Sequence, residues 1–190
     1  MHPVRLCTFP HSPRRQRSGG FTVIELLATV ALLAVIAALA APSFTQLTKR
    51  WSAQQASADL QSTLSYARME SIRRGGGISL VRTQTNNCAA QQWQCGWNLV
   101  IDSSQSGAAD NATQALQTTP AFDRSIISSS DAGDAIIVDR WGGMSLKGVN
   151  NSVNEFHFTV QSLDSDLAQP PIVCVLAGGM VRTIQSPNVC

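Results

Sequence analysis

The sequence lacks the short motifs that mark common hydrolase and nucleotide-binding sites. No G-x-S-x-G segment surrounds any serine, and the glycines at 75–77 are not preceded by a strand and followed by a helix, as a Walker loop or dinucleotide fingerprint requires. Histidine is scarce: only His157 lies beyond residue 20. No motif supports a Ser-His-Asp arrangement around it, so we interpret His157 as a surface residue of a strand. We expect no enzymatic activity and no cofactor.

Cysteine is sparse and lacks the C-x₂-C spacing of redox pairs and zinc sites. Of five cysteines, Cys7 lies in the first 20 residues, which leaves an even set of four that permits three pairings. We favour two local disulfides over zinc, Cys88–Cys95 and Cys174–Cys190. The second bond ties residue 190 back to a strand, and a loop of roughly 15 residues contributes about 3 kcal/mol in the chain-entropy model. We therefore expect no metal.

Acidic residues are absent from residues 1–20, which contain Arg5, Arg14, Arg15 and Arg17. The formal net charge of +2 therefore misrepresents the rest of the chain, where ten basic residues face all twelve acidic ones, a net charge of −2. This balance gives no support for a nucleic-acid partner, and any binding patch has to be local.

Residues Phe21–Ala41 form an uncharged run of 21 residues except for Glu25. At about 1.5 Å rise per residue such a helix is about 30 Å long, enough to cross a bilayer. A charged side chain near the centre of such a span costs roughly 2.5–3.5 kcal/mol, and less toward an end. A plain anchor has no need of Glu25, so we interpret the carboxylate as functional.

Two simpler interpretations compete with an assembly helix. In the first, Ala38-Leu39-Ala40 is the A-x-A cleavage site of an ordinary secretory signal peptide. In the second, the run is an uncleaved anchor. Glu25 and the following Pro42 argue against the first, and Glu25 argues against the second. The basic leader predicts that residues 1–20 stay in the cytoplasm and that the body faces the oxidising side, which suits disulfides.

The pattern Gly20-Phe21-Thr22-Val23-Ile24-Glu25-Leu26 resembles the processing motif of type IV pilins and type II secretion pseudopilins. The resemblance implies that a prepilin peptidase cuts after Gly20 and that Phe21 becomes the N-methylated terminus. It further implies that Glu25 is the assembly carboxylate and that Pro42 is the helix kink. Physically, cleavage creates an ammonium at Phe21, which the Glu25 of a neighbouring subunit can neutralise in lipid. Removing one partner of such a pair costs about 3–5 kcal/mol.

An apolar series predicts that the helix continues after Pro42 to Arg74, where the glycines at 75–77 end it. We interpret this series as a core face that packs on a sheet. Its members recur at steps of about three to five residues: Phe44, Leu47, Trp51, Ala56, Leu60, Leu64, Ala67 and Ile72.

The remaining residues predict strands and turns. The expected strands are 78–83, 96–102, 135–139, 144–147, an alternating segment with Val153, Phe156, Phe158 and Val160, 172–177 and 180–185, with a loop at 103–113 and a break at Pro170 and Pro171. A helix followed by strands indicates an α+β protein with a mostly antiparallel sheet. The expected organisation is a leader at 1–20, a transmembrane assembly helix at 21–41, its amphipathic continuation at 42–74 and a periplasmic headpiece at 75–190.

The headpiece is similar to the GspH/FimT/FimU group of minor pilins and pseudopilins. The strand from Gly96-Trp97 to Asp102, the Trp141-Gly142-Gly143 turn and the glycine-rich last hairpin carry the likeness. It implies a type IV pilin-like fold and a minor pilin of low abundance that sits near the fibre tip and primes assembly, supporting twitching motility and adhesion. The implied partners are the major pilin, other minor pilins and prepilin peptidase. The implied location is the inner membrane of a Gram-negative bacterium and then its surface.

Two alternatives remain within this group. The first is a minor pseudopilin of a type II secretion system, which would have the same motif and fold. The second is a DNA-binding competence pilin, since relatives in the FimT branch that take up DNA carry Gly-Arg-x-Arg in the last hairpin. Here Met180 replaces the first arginine and only Arg182 remains, so we do not expect nucleic acid as a partner.

Overall fold

The computed structural model describes residues 20–84, 88–89, 91–111, 115–147, 152–163, 167–188 and 190, without the side chains of residues 40–43, 152 and 153. The predictions about Arg5, Arg14, Arg15, Arg17 and Cys7 therefore lie outside the described residues. The chain divides between Pro42 and Ser43 into two compact units. The boundary coincides with the proline at which the sequence predicts a kink.

The helix α1 spans Val23–Arg74. At its start Thr22 is the N-cap, since its hydroxyl accepts a hydrogen bond from the Glu25 N–H at 3.3 Å and its carbonyl accepts one from the Leu26 N–H at 3.1 Å. Thr22 and Glu25 have the spacing of a capping box, and a carboxylate in the first turn also suits the helix dipole. By length and hydropathy, no single described helix qualifies as a membrane span, whereas Val23–Leu39 and Phe44–Arg74 qualify together as a broken pair.

The end of α1 is a Schellman motif built by glycine. The Gly76 N–H donates to the Ser71 carbonyl at 2.8 Å and the Gly75 N–H donates to the Ile72 carbonyl at 3.4 Å. Gly75 has a φ of 80°, which glycine adopts without the steric cost of a side chain. The observed end at Arg74 is the predicted one.

In the described residues after α1, ten strands form two sheets in which every strand pair is antiparallel. The larger sheet has the order β3-β2-β1-β5-β6-β7. Its strands are β1 Ile78–Arg82, β2 Trp97–Ile101, β3 Ala115–Thr119, β5 Ala135–Val138, β6 Met144–Lys147 and β7 Ser152–Val153. The smaller sheet has the order β10-β9-β8-β4. Its strands are β4 Ser125–Ser129, β8 Phe156–Ser162, β9 Pro171–Leu176 and β10 Met180–Gln185.

The core of the second unit lies between one face of α1 and both sheets. The helix contributes residues at steps of three and four, all fully buried: Ala53, Ala56, Leu60, Leu64 and Ala67. Trp93 packs edge-to-face on Phe158 with ring centroids 5.3 Å apart, and Trp97 stacks on Phe122 at the same distance. Each large apolar side chain buried here contributes about 1.5–3 kcal/mol, so this core is the main source of the unit's stability.

The predicted α+β class is confirmed: the long helix packs on antiparallel sheets and Cys174 is joined to Cys190. The two predicted hairpins, β5–β6 and β9–β10, are also observed. The sequence analysis missed β3 and β4, because their residues are mostly small and polar and carry no clear alternation. The predicted strand around Val153 is divided in the structure, with β7 in the larger sheet and β8 in the smaller one. Pro171 does not break the chain but begins β9.

The interpretation of the apolar helix series as one core face is wrong for half of its members. Ala56, Leu60, Leu64 and Ala67 are buried, but Phe44, Leu47, Trp51 and Ile72 are 41–65% exposed. Because its steps vary from three to five residues, the series does not stay on one side of the helix and includes residues of two faces. The true core stripe includes Ala53, which the series omits.

Candidate functional site

The predicted cleavage position lies directly before α1. Gly20 precedes the helix, and Phe21 is 83% exposed. Glu25 lies in the first turn of the helix and is exposed. After a cut between Gly20 and Phe21, the new ammonium would be followed within one helical turn by the only carboxylate of the described part of this unit.

The apolar side chains of the N-terminal unit point outward on every side of the helix. From Val23 to Leu39 the large ones are 55–78% exposed. A helix that is apolar all round belongs in lipid or between other helices, since in water it would leave this surface solvated. The described part of the unit contains no second helix to cover it, so cover has to come from outside this unit.

Pro42 lies in the backbone of α1, but its side chain is not described. A proline within a helix removes one hydrogen bond to the preceding turn. The role of Pro42 as a kink stays a prediction.

Two disulfides brace the headpiece. Cys88 is bonded to Cys95 and Cys174 to Cys190, with Cα–Cα distances of 6.2 and 5.7 Å. The four cysteines are therefore not available as thiolate ligands, and the described residues contain no cluster of three or more potential metal-binding side chains. Near the first disulfide, buried Arg82 forms an ion pair with Asp134 and donates to the Cys88 carbonyl at 3.4 Å.

Asp102 is a buried carboxylate that organises the loop after β2. The Ser79 hydroxyl donates to Oδ2 at 2.6 Å and the Gly107 N–H at 2.7 Å, while Oδ1 accepts from the Ser106 N–H at 2.9 Å and from the hydroxyls of Ser104 and Ser106 at 3.1 Å. Burial raises the pKa of Asp102, but these hydrogen bonds outweigh it and hold the pKa below its usual value. All its acceptor sites are used internally, so we assign Asp102 to structure.

Glu70 binds two arginines of the last turn of α1. Arg73 donates to both oxygens of Glu70 at 2.8 and 2.6 Å, and Arg74 also binds Oε1. The hydrogen bonds from Arg73 and then Arg74 lower the pKa of Glu70 to about 2. Both cations lie where they suit the helix dipole, so this cluster stabilises the helix end.

The residue singled out for DNA, Arg182, lies exposed on the edge strand β10. Its Nη2 donates weakly to the Cys190 carbonyl at 3.5 Å. Arg182 is the only basic residue of β10, and Met180, two residues before it, is 56% exposed. A single cation of this kind is a poor phosphate-binding surface.

His157 lies in β8 opposite Cys174 of β9. Only its backbone is bonded among the described residues, with the Ser130 hydroxyl accepting from its N–H at 3.1 Å and its carbonyl accepting from the Ser130 N–H at 2.8 Å. No described carboxylate or hydroxyl is bonded to its ring, so the described residues do not assemble a Ser-His-Asp triad at His157.

The sequence analysis missed an exposed apolar cluster at one end of the headpiece. Trp141, which was identified only as part of a turn, is 80% exposed. Met69, Ile72 and Met180 are 51–63% exposed. The available signal was the tryptophan in a Trp-Gly-Gly turn, but its neighbours come from distant parts of the chain.

An exposed apolar helix after a Gly-Phe junction, in a chain with a disulfide-braced antiparallel headpiece, is the architecture of pilin-like subunits. The GspH family model, described as "Type II transport protein GspH", matches residues 56–179, and the "Prokaryotic N-terminal methylation motif" matches residues 15–41. The chain belongs to the GspH family. This family consists of pilin and pseudopilin subunits that assemble with other pilins, and it is not a known class of enzymes.

Solved structures of minor pilins have a similar fold. Two crystal structures of the type IV minor pilin FimU of Pseudomonas aeruginosa match with TM-scores of 0.54 and 0.53 at 17% and 18% identity, covering 71% and 76% of this chain and 94% and 92% of theirs. The minor pseudopilin EpsH of the Vibrio cholerae type 2 secretion system matches with a TM-score of 0.49 at 12% identity, covering 72% of this chain and 98% of its own. No curated protein sequence matches the chain significantly.

Proposed function

We propose that this chain is a minor type IV pilin that is cut between Gly20 and Phe21, N-methylated at Phe21 and incorporated at low abundance into a pilus. There it supports assembly, and through assembly twitching motility and adhesion. The observation that carries the proposal is the helix after the methylation motif, whose side chains from Val23 to Leu39 are exposed and apolar with Glu25 as the one charge.

This helix requires two successive environments. Before assembly the inner membrane covers it, with the basic leader in the cytoplasm and the headpiece in the periplasm. In the fibre the helices of neighbouring subunits cover it. Each square ångström of apolar surface removed from water contributes about 25 cal/mol, so either environment stabilises a helix that water would not.

Glu25 sets the position of the subunit within the fibre. The methylated ammonium of Phe21 remains positively charged and needs a carboxylate in an apolar surrounding. The Glu25 of a neighbouring subunit supplies it, so that a shifted subunit would leave a buried charge without a partner. Such a loss costs about 3–5 kcal/mol.

The part of α1 in the second unit also exposes apolar side chains. Phe44, Leu47 and Trp51 lie three and four residues apart, on the face of α1 that the core leaves exposed. These side chains extend the contact with neighbouring subunits beyond residue 42. The proposed partners are the major pilin and other minor pilins, with prepilin peptidase as the processing enzyme.

The likeness to FimU, described as a type IV minor pilin, favours the pilus. The family description, a type II transport protein, keeps the secretion pseudopilus as the second candidate. Both machines would process the chain in the same way, so the distinction depends on where the mature protein is found.

Mass spectrometry of fibres sheared from the native host tests the proposal. We expect headpiece peptides from residues 43–190 and an N-methylated peptide that begins at Phe21, at low abundance beside a major pilin. A Phe21 terminus found in membranes but absent from sheared fibres would favour the pseudopilus. A product beginning at Ala41 would overturn the pilin proposal, because the apolar helix would then be a discarded signal peptide.

A further inference from the structure

Three turns meet at one end of the headpiece. They are the end of α1, the β5–β6 turn and the β9–β10 turn. A Cβ atom on Gly142 would lie 2.8 Å from Cγ of Arg68 and 3.0 Å from Cδ1 of Ile72, and a Cβ atom on Gly179 would overlap the Gly142 carbonyl oxygen. The backbones of Gly142 and Gly179 are therefore in direct contact, while α1 meets Gly142 through the side chains of Arg68 and Ile72. Both glycines also have positive φ, which favours glycine at these positions.

This junction carries an exposed surface that we call the Trp141 patch. Its apolar members are Met69 and Ile72 of α1, Trp141 of the β5–β6 turn and Met180 of β10, with exposed fractions of 63%, 51%, 80% and 56%. Its basic members are three arginines. The Arg68 side chain lies against Gly142, Arg140 directly precedes Trp141, and Arg182 follows Met180 by two residues in β10. Tryptophan, methionine and arginine are enriched in protein interfaces, and tryptophan and arginine dominate their binding hot spots.

The turn that presents Trp141 is held rigidly. Oδ1 of Asp139 accepts hydrogen bonds from the N–H groups of Trp141 and Gly143 at 2.8 and 2.9 Å. The Ser71 hydroxyl of α1 donates to the carbonyls of Val138 and Asp139 at 3.0 and 2.8 Å. A partner that binds here therefore does not have to order the loop, a step that otherwise lowers affinity.

The arginines of the patch are not neutralised within the described residues. Arg68, Arg140 and Arg182 form none of the ion pairs found there. Nε of Arg68 is buried and has no hydrogen-bond partner among them. The nearby carboxylates are engaged elsewhere, since Asp139 caps its own turn and Glu70 binds Arg73 and Arg74.

We propose that the Trp141 patch is the docking surface for the headpiece of a neighbouring pilin-type subunit, which brings carboxylates to the arginines and an apolar surface to Trp141. The inference rests on the proposed function for the class of partner. Protein fits better than nucleic acid because Met69, Ile72 and Met180 offer no phosphate contact and the chain beyond residue 20 has a net charge of −2. Apolar contact with charge pairing at its rim is typical of protein interfaces.

Site-specific photo-crosslinking in the native host tests this docking. The photoreactive amino acid p-benzoyl-phenylalanine replaces Trp141 in the full chain, and replaces Met180 in a second strain, so that a negative result does not depend on the loss of the indole. The matched control is the same probe at Leu163, which is 58% exposed outside the patch. We expect adducts from both patch positions, and none from Leu163, with a subunit that carries an N-methylated N-terminus.

A charge reversal makes the test specific. We expect Arg140→Glu to lower the adduct at least about tenfold, because like charges then face each other. Arg124→Glu, which changes an exposed arginine outside the patch, should leave it unchanged. A reversal of the carboxylate nearest the crosslinked residue of the partner, combined with Arg140→Glu, should restore the adduct.

The outcomes separate this inference from the proposed function, because sheared fibres from the same strains are probed for the protein. Three outcomes with the protein present in fibres overturn the docking surface alone. They are no adduct, an adduct that nuclease removes, and an adduct whose amount does not change with Arg140→Glu. A charge-dependent adduct in membranes, with no protein in fibres, supports the docking surface. It would then favour the secretion pseudopilus over the pilus as the assembly in which the surface is used. Absence of both adduct and fibre protein overturns both proposals.

Discussion

The two units of this protein use apolar residues in opposite ways. In the second unit Leu60, Leu64 and Phe158 are fully buried among side chains of the same chain. In the first unit Leu32, Leu33 and Ile36 are 55–64% exposed. The same residue types thus stabilise one unit from within and leave the other dependent on lipid or other helices.

This difference explains where the carboxylate of each unit finds its hydrogen-bond partners. A self-sufficient headpiece tolerates Asp102 in its interior because serine and glycine donors surround the carboxylate. Among the described residues of the N-terminal unit no side chain is bonded to the Glu25 carboxylate, so the proposed assembly takes its partner from a neighbouring subunit. A buried polar group needs a partner in either unit, and only its source differs.

The largest effect should come from removing the one charge of the N-terminal helix. We expect Glu25→Ala to be cut normally at Gly20–Phe21 but to be absent from fibres, because the Phe21 ammonium of a neighbour loses its partner at a cost of about 3–5 kcal/mol. Immunoblotting of membranes and sheared fibres measures both steps.

Thr29→Ala is the matched control for Glu25→Ala, since its exposed hydroxyl donates to the Leu26 carbonyl of its own helix and to no other described residue. It should be incorporated normally. Normal amounts of the Glu25→Ala protein in fibres would refute the role of the carboxylate in assembly.

Two leucines of α1 separate core from exposed surface. We expect Leu64→Ala to lower the free energy of unfolding by about 2–5 kcal/mol, because the side chain is fully buried. Leu47→Ala, at 41% exposure in the same helix, should change it by about 0.5 kcal/mol or less. Urea denaturation of the full mature protein in detergent, followed by tryptophan fluorescence, measures both. Equal losses would contradict the assignment of the two faces.

A smaller effect is expected from the buried carboxylate of the headpiece. We expect Asp102→Asn to lower the free energy of unfolding by about 1.5–3 kcal/mol, because an amide cannot accept all the hydrogen bonds that the carboxylate accepts. Asp110→Asn, an exposed carboxylate of the same loop that binds Ser103, should cost about 0.5–1.5 kcal/mol. The same denaturation assay compares the two variants. A larger loss of unfolding free energy in Asp110→Asn than in Asp102→Asn would contradict the assignment of Asp102 as the organising group of the loop.

The smallest expected effect is on the pH dependence of stability in acid. The pKa of Glu70 falls from 4.5 to about 2 on folding, so its stabilising contribution is present above pH 4.5 and is lost as the pH falls toward 2. We expect Glu70→Gln to reduce the loss of stability over this pH range, with Glu155→Gln, an exposed carboxylate in none of the observed ion pairs, as the control. Urea midpoints at a series of pH values measure it. An unchanged pH dependence in Glu70→Gln would rule out the Arg73–Arg74 cluster as a source of stability.

The sequence predicted local features whose signals are adjacent along the chain. The glycines at 75–77 mark the end of α1 because they supply the conformations of the Schellman motif. Gly178-Gly179 and the turn at Trp141 likewise predicted the hairpins β9–β10 and β5–β6. The apolar series from Phe44 to Ile72 failed, because α-helical periodicity does not tell which of two apolar faces will be covered.

The sequence by itself determined the N-terminal features on which the proposed function rests. The Gly20-Phe21 junction, Glu25 and the apolar run are contiguous, and their chemistry depends on no distant residue of the chain. Only the tertiary structure decided that Asp102 is internally satisfied, that two sheets share one core and that Trp141 lies beside the end of α1. The shared core and the position of Trp141 depend on contacts between residues far apart in the chain, and Asp102 combines bonds from its own loop with one from Ser79, 23 positions away. Such contacts follow from packing and strand order, which leave no periodic signal in the chain.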